Sequence, residues 1–456
     1  MGDLEKGGKA RFQIDTTEEN SSGTALVLVP VLSGNGLREG ERSRLHRRSE
    51  AARLEEAVGL ARAIDLDVVH QGVVQLAKTR PATLLGSGKV EEFKGLIAAL
   101  HVGIVVVDHP LTPVQQRNLE KEWNAKVLDR TGLILEIFGA RAQTKEGRLQ
   151  VELAHLNYQK GRLVRSWTHL ERQRGGSGFL GGPGETQIES DRRQLQERVN
   201  KLERELEKVR RTRTLHRAQR KKIPHPVVAL VGYTNAGKST LFNRVTGADV
   251  LAKDMLFATL DPTLRRLVLP EGTLVILSDT VGFVSDLPTH LVAAFRATLE
   301  EVIEAELILH VRDAADPDNA AQAEDVYSIL SQLGVGGDGH ERVVEVWNKI
   351  DLLDAETAEA LRQTRETGQG LDGPQKVLVS AQTGDGIDGL LELMEERISG
   401  SENVVDVVVP LHAMGNLNWV YENTHVIERH DSDDGSIALK VRVSPQLRGD
   451  LLGRVA

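Results

Sequence analysis

From Val227 to Gly247 the chain reads VVALVGYTNAGKSTLFNRVTG, an apolar run, a glycine loop and an amphipathic run. Gly232 to Ser239 satisfies G-x-x-x-x-G-K-[ST] in the strand-to-helix context that the pattern requires. This stretch constrains the fold more than any other, because a strand, a phosphate loop and a helix in that order belong to a doubly wound α/β domain. Gly232 and Gly237 let the backbone N–H groups of the loop, from Tyr233, Thr234, Asn235 and Ala236 on to Thr240, wrap phosphates. Lys238 is expected to reach the β- and γ-phosphates as a point charge, and Ser239 to offer a hydroxyl to Mg²⁺.

Four further pieces follow in the order that a GTP hydrolase needs. In FATLDPT, Phe257, Ala258, Leu260 and Asp261 surround Thr259, which is placed to reach both metal and γ-phosphate from a first switch. In VILSDTVGF, Asp279 ends an apolar strand as a carboxylate for the metal's outer shell; Thr280 and Val281 lead to Gly282, whose N–H can meet the γ-phosphate. VVEVWNKID sets Asn348, Lys349, Ile350 and Asp351 after another strand, where the Asp351 carboxylate can accept from guanine N1–H and N2–H₂. Adenine lacks that edge and would leave the carboxylate unpaired. VLVSAQTGDG then brings Ser380, Ala381 and Gln382 over the base. Lys238, Thr259 and Gly282 are the expected catalytic set, with GTP as substrate and Ser239 and Thr259 on the metal. Phe283 stands where Ras-like GTPases carry the glutamine that orients water, and a phenyl ring cannot hydrogen-bond water.

The flanks have different periods. Residues 24–130 alternate TALVLVPVL, LDVVHQGVV, VGIVVVD and AKVLD with helix-like stretches, which predicts a small parallel α/β domain after a tail over 1–23. Inside it GSGK, Gly86 to Lys89, imitates a nucleotide loop, but Thr83 replaces the first glycine and Val90 the hydroxyl, so a loop before a helix is expected. Leu149, Leu153, Leu156, Leu163, Trp167 and Leu170 form one coiled-coil seam, and Leu195, Val199, Leu202, Leu206 and Val209 another. The two predict an antiparallel helical hairpin over 131–223, its tip the glycine-rich Gly175 to Glu189, with Thr186 and Glu189 spaced as a capping box. Lys208 to Lys222 holds eight Lys/Arg and no acid, and Lys160, Arg162, Arg165, Arg172 and Arg174 load the other helix with the same sign. A solvated helix end is one reading; an RNA-binding arm is the other, and the doubling of charge favours it. The GTPase domain is expected over 224–400 and a small α+β appendix over 401–456, where His412, His425 and His430 lack metal-ligand spacing.

Net charge of −9 excludes a wholly basic nucleic-acid coat, so RNA contact must come from a local patch. The absence of cysteine excludes disulfides, thiolate metal sites and a cysteine nucleophile. No stretch approaches about 18 uninterrupted apolar residues and the N-terminus has no apolar signal core, which predicts no membrane span and a cytoplasmic location.

Taken in order, GPGETQIE, GYTNAGKS, FATLDPT, DTVGF and NKID resemble the HflX family over residues 24–400, with GPGETQ at Gly182 to Gln187 the most discriminating piece. The resemblance implies GTP hydrolysis coupled to binding the large ribosomal subunit and its RNA, and to dissociating stalled or idle ribosomes, with the hairpin tip near the peptidyl-transferase centre. Phe283 resembles the hydrophobic replacement in GTPases that lack the glutamine, so a slow free enzyme completed by a docked partner is expected. Asn235 matches a loop asparagine that helps related GTPases hold K⁺, against a plain turn residue as the alternative. A GTP-switched RNA-binding module with incidental turnover, and a self-dimerising GTPase, are the competing readings; paired basic helices favour RNA and a free monomer.

Overall fold

TALVLVPVL forms strand β1, Thr24–Leu32, and Ala25 to Val29 are wholly buried, as a strand covered on both faces must be. The computed structural model describes residues 23–32, 48–173, 183–220, 225–248, 256–257, 262–285, 299–335, 341–366, 374–399, 403–432, 434–443 and 445–455. Two units divide the chain: one holds residues 1–211, 253–261 and 285–296, the other 212–252, 262–284 and 297–456.

In the first unit β1 is followed by α1 (Glu50–Arg62), β2 (Asp67–Leu76), α2 (Ser87–Ala99), β3 (Ile104–Val107), α3 (Pro113–Trp123) and β4 (Lys126–Asp129). The four strands lie in the order β2-β1-β3-β4, all parallel. Helix starts follow local chemistry: Ser49 caps α1, and Thr112 with Gln115 closes a capping box on α3 with Pro113 behind it. GSGK is the start of α2, with Gly86 as its N-cap. A helix the sequence reading did not separate, α4 (Arg130–Arg141), follows β4 directly, because the buried Asp129 carboxylate accepts from Gly132 N–H at 2.8 Å and caps it.

Helices α5 (Lys145–Gln173) and α6 (Pro183–Arg220) form the hairpin arms. Leu149 and Leu156 pack on Val199, Leu202 and Leu206, and an Arg198–Glu152 ion pair with a Lys160–Gln196 bond shows the helices running antiparallel. Two expectations are corrected. The second helix begins at Pro183, a residue suited to a first helical position, so Thr186 lies within it and not at its N-cap position. Arg162 is no free arm residue: its guanidinium bonds Tyr158 and Gln116, sits 3.5 Å from Asp129 and holds the arm to the sheet domain. Burial and the Asp129 carboxylate push the Tyr158 phenol well above its ordinary range, keeping it a donor. Residues 174–182, most of the expected tip, lie outside the described residues, as do the side chains of Leu163, Trp167, Leu170, Arg165 and Arg172.

The second unit contains β5 (Val227–Gly232), α7 (Lys238–Thr246), β6 (Thr263–Val268), β7 (Leu274–Asp279), α8 (Glu300–Glu304), β8 (Leu307–Asp313), α9 (Asn319–Gln332), β9 (Val343–Asn348), α10 (Ala355–Glu366), β10 (Gln375–Leu378) and α11 (Ile387–Ser399). Its sheet runs β10-β9-β8-β5-β7-β6, parallel except for the β6–β7 hairpin. The C-terminal ends of β5, β7, β8 and β9 carry the loops of the site, the ordinary place for a ligand in such a sheet. A three-stranded antiparallel sheet, order β11-β13-β12, follows, from β11 (Asn403–Val409), β12 (His425–Asp431) and β13 (Ile437–Val443), with α12 (Leu417–Asn423) and α13 (Pro445–Val455) on its apolar face. Arg442 of β13 pairs with Glu271 in the β6–β7 turn at 2.9 Å, and buried Glu395 of α11 accepts from Glu271 N–H and the Thr273 hydroxyl. Among the described residues no helix is long and apolar enough to cross a membrane.

Candidate nucleotide site

Strand β5 runs into its loop at Gly232, where φ is +152° and a Cβ would lie 2.1 Å from the Val311 carbonyl oxygen. At Gly237 φ is +91°, and a Cβ would lie 2.2 Å from the Asn348 amide. Both glycines are therefore required by close approach to neighbouring strands, before any phosphate is considered. Lys238 opens α7 and is buried; its Nζ donates to the carbonyls of Gly232 at 3.1 Å and Tyr233 at 2.7 Å. Burial pushes its ammonium down to about 8, against the pull of the Asp279 carboxylate. Thr234 and Ala236 are buried, whereas Asn235 is exposed in the left-handed region at φ 61°.

Asp279 ends β7 fully buried and accepts from the Ser239 hydroxyl at 2.7 Å. A hydroxyl and a carboxylate so placed are the hard oxygen donors that suit Mg²⁺. Thr280 donates to the Leu230 carbonyl at 2.5 Å, fixing the start of the second switch to the central strand. The chain then folds back onto the phosphate loop. Phe283 N–H donates to Gly232 O at 3.1 Å, Thr234 N–H donates to Phe283 O at 2.8 Å, and the phenyl ring is 1% exposed. Gly282 is pinched between: a Cβ there would meet Thr234 Cγ2 at 2.9 Å and Lys238 Nζ at 3.1 Å. Two donors that the motif assigns to phosphate, Lys238 Nζ and Thr234 N–H, thus serve the chain's own carbonyls.

The base corner is differently made. Buried Asn348 at the end of β9 donates to Ala236 O at 2.9 Å and accepts from Ala381 N–H at 2.9 Å, joining phosphate loop, strand and base loop. Lys349 is left-handed at φ 65° and its Nζ pairs with Asp313 at 2.6 Å. Ile350 is buried, while Asp351 is exposed in a short 3₁₀ turn. Ser380 and Ala381 are buried, and Gln382 is exposed. Of the first switch only Phe257 is described, packed edge-on against Phe138 with ring centres 4.8 Å apart; Ala258, Thr259, Leu260 and Asp261 lie outside the described residues. Sequence reasoning missed Asp313 and Arg244, whose partners are distant in the chain and carry no local pattern.

Four family models match the chain: GTP-binding GTPase N-terminal over residues 51–139, GTP-binding GTPase middle region over 141–220, 50S ribosome-binding GTPase over 227–349 and HflX C-terminal domain over 369–455. GTPase HflX of Magnetococcus marinus is 50% identical over 402 residues, 88% of this chain and 90% of that one. GTPase HflX of Escherichia coli is 47% identical over 365 residues, covering 80% and 83%. Among solved structures, the complex of SsGBP with GDP aligns at a TM-score of 0.46 and 24% identity, over 82% of this chain and 97% of that one.

Proposed function

This chain belongs to the HflX family of GTPases and is a GTP hydrolase, and on that premise we propose that it binds the large ribosomal subunit and couples GTP binding and hydrolysis to dissociation or rescue of stalled or idle ribosomes. The observation that carries the proposal is the closed second switch, in which Phe283 is buried and bonded to the phosphate loop. A triphosphate must displace these contacts to reach Lys238 and Thr234, and an energetic source for that displacement is a docked partner. The match of residues 227–349 to the 50S ribosome-binding GTPase family and the basic run from Lys208 to Lys222 support a ribosomal partner.

In the proposed reaction water attacks the γ-phosphorus as its bond to the β–γ bridging oxygen breaks, giving GDP and phosphate, and Lys238, turned from the Gly232 and Tyr233 carbonyls, neutralises charge on the β- and γ-phosphates. Ser239 and Thr259 would hold Mg²⁺, with Asp279 as an outer-shell carboxylate on Ser239, and the ion when bound would offset phosphate charge. Gly282 offers its N–H to the γ-phosphate once the switch opens, with space there kept by the missing side chain. Asn348 holds the base loop and Asp351 selects guanine by accepting from N1–H and N2–H₂. Asn235, exposed on the loop, is assigned the K⁺-assisting role. The protein is proposed to be cytoplasmic and a monomer when free.

Sedimentation with purified ribosomal subunits in GTP, GDP and a non-hydrolysable GTP analogue tests the proposal. Comigration with the large subunit, strongest with the analogue, is expected; comigration with neither subunit in any nucleotide would overturn it. Changing Arg210, Arg211 and Arg213 to Gln should weaken that binding about tenfold near physiological salt and lower its salt slope by up to about 3, since each phosphate contact releases counterion. Identical binding at every salt concentration would leave those arginines as a solvated helix face.

A further inference from the structure

The base loop, residues 380–386, is a closed turn. Ser380 N–H donates to Asp385 O at 2.9 Å, Gly384 N–H to Ser380 O at 2.8 Å and Thr383 N–H to Ser380 Oγ at 3.0 Å. Gly384 and Gly386 are both left-handed, at φ +96° and +74°, and a Cβ on Gly386 would lie 2.1 Å from Leu378 O. These bonds shape the loop without placing it against the rest of the site. Placement comes from two side chains. Asn348 takes the Ala381 N–H from the strand side, and Arg244 takes the next two carbonyls from the helix side: Nε donates to Ala381 O at 3.0 Å and Nη2 to Gln382 O. The Ala381 residue is therefore held at both its N–H and its carbonyl.

Arg244 lies in the last turn of α7, whose first residue is Lys238. A cation at that end would in any case favour the helix dipole. That term asks for no particular partner, whereas here the planar guanidinium divides two donors between consecutive peptide carbonyls, a geometry that an ammonium cannot reproduce. Helix α7 thus carries the phosphate cation at one end and the tether of the base loop at the other, six residues or about 9 Å apart.

We propose that Arg244 is a positioning residue for guanine recognition, locking the Ala381–Gln382 backbone to the phosphate-loop helix so that base and phosphate groups form one frame. The inference rests on the guanine-reading role proposed for Asp351. Because Arg244 is itself exposed, its removal leaves the apolar core intact. Its guanidinium is engaged by the base loop, at the end of α7 away from Lys238, so its loss should reduce affinity for guanine nucleotides independently of the γ-phosphate and leave the chemical step alone.

The test measures equilibrium affinity for GDP and a non-hydrolysable GTP analogue, steady-state GTP hydrolysis and thermal unfolding on the full chain, for Arg244→Ala, Arg244→Lys and Asp351→Asn. Arg244→Ala should weaken both nucleotides by the same factor, about tenfold, which corresponds to about 1.4 kcal/mol. Its kcat at saturating GTP should stay within about twofold of the unaltered protein and its Tm within a few degrees, while Arg244→Lys falls between. Asp351→Asn should move preference from guanosine toward xanthosine nucleotides, whose C2 carbonyl accepts from an amide. If it leaves guanine preference unchanged, the base-reading assignment fails and this inference with it. If Asp351→Asn behaves as expected but Arg244→Ala keeps full affinity for both nucleotides, the inference alone is overturned. A kcat loss without an affinity loss, or a large Tm drop whose affinity defect Arg244→Lys does not relieve, overturns it as well.

Discussion

At the base-facing corner of the nucleotide site Asn348 already bridges Ala236 and Ala381, and Lys349 is already paired with Asp313. At the phosphate-facing corner Lys238 and Thr234 direct their donors at the carbonyls of Gly232, Tyr233 and Phe283. One corner is preorganised and the other is closed on itself, although both hang from strands of one sheet, β9 and β10 for the first, β5 and β7 for the second. At the phosphate corner the Thr234 N–H is already bonded to Phe283 O, and Lys238 Nζ commits two of its three donors to Gly232 O and Tyr233 O. On the proposed roles, nucleotide identity and nucleotide state would be read by regions of opposite readiness.

The largest effect should come from deleting the phosphate corner's cation. Lys238→Ala is expected to lower GTP turnover by about 10³-fold, as for loss of a principal transition-state charge, while whatever nucleotide binding remains still prefers guanosine to adenosine. Turnover and triphosphate affinity both unchanged in that variant would break the assignment of the corner. A loss of guanine preference would show that the corners are not separable.

A smaller difference sharpens the cost of the closed switch. Opening it gives up two backbone hydrogen bonds, each worth about 1 kcal/mol net, so the free protein should bind GDP about thirtyfold more tightly than a non-hydrolysable GTP analogue. Large subunits should narrow or reverse that ratio. Tighter binding of the analogue by the free protein would mean that the closure opposes nothing.

Protonation gives the smallest of these effects. Burial holds the free Lys238 ammonium down at about 8, and bound phosphates favour the cation, so nucleotide binding above that pH must take up a proton. Affinity should fall about fourfold between pH 7 and pH 8.5, with proton uptake visible as a buffer-dependent heat in calorimetry. The same depressed value means that the unfolded chain binds more protons between about 8 and 10.5, so the stability of the nucleotide-free protein gains from this group as pH rises through that window. Affinity flat across pH 7 to 8.5, with no proton uptake, would place Lys238 away from the phosphates.

Much of this arrangement was legible in the sequence because its motifs are contiguous. Gly232 to Ser239, Asn348 to Asp351 and Ser380 to Gln382 are short strings fixed by local backbone, and the structure joins them through Asn348 across strands of one sheet. Arg244 and Asp313 escaped, since a long side chain on a helix face or strand end gives no pattern until its partners, 137 and 36 residues away, are in place. Arg162 looked like part of a basic arm because charge counting ignores direction; Tyr158, Asp129 and Gln116 turn it inward. Strand β12 and helices α4 and α13 were missed, the first two because charged or closely abutting residues mask their periods. The closure of the second switch was beyond sequence reasoning: Phe283 was visible as an odd residue, but its partners are main-chain atoms of the phosphate loop.

If a ribosomal partner opens this closed site, initial rates of GTP hydrolysis will report it. Unaltered protein and Phe283→Gln are compared with and without large ribosomal subunits, in K⁺ and in Na⁺. The unaltered protein should be slow alone and stimulated by about tenfold or more by large subunits, with a measurable advantage in K⁺. Phe283→Gln should remain within about twofold of it when free, because an amide cannot orient water from a buried, closed switch. Equal rates in K⁺ and Na⁺ would remove only the role given to Asn235. Equal rates with and without large subunits, or a Phe283→Gln variant that is fast on its own, would contradict the account.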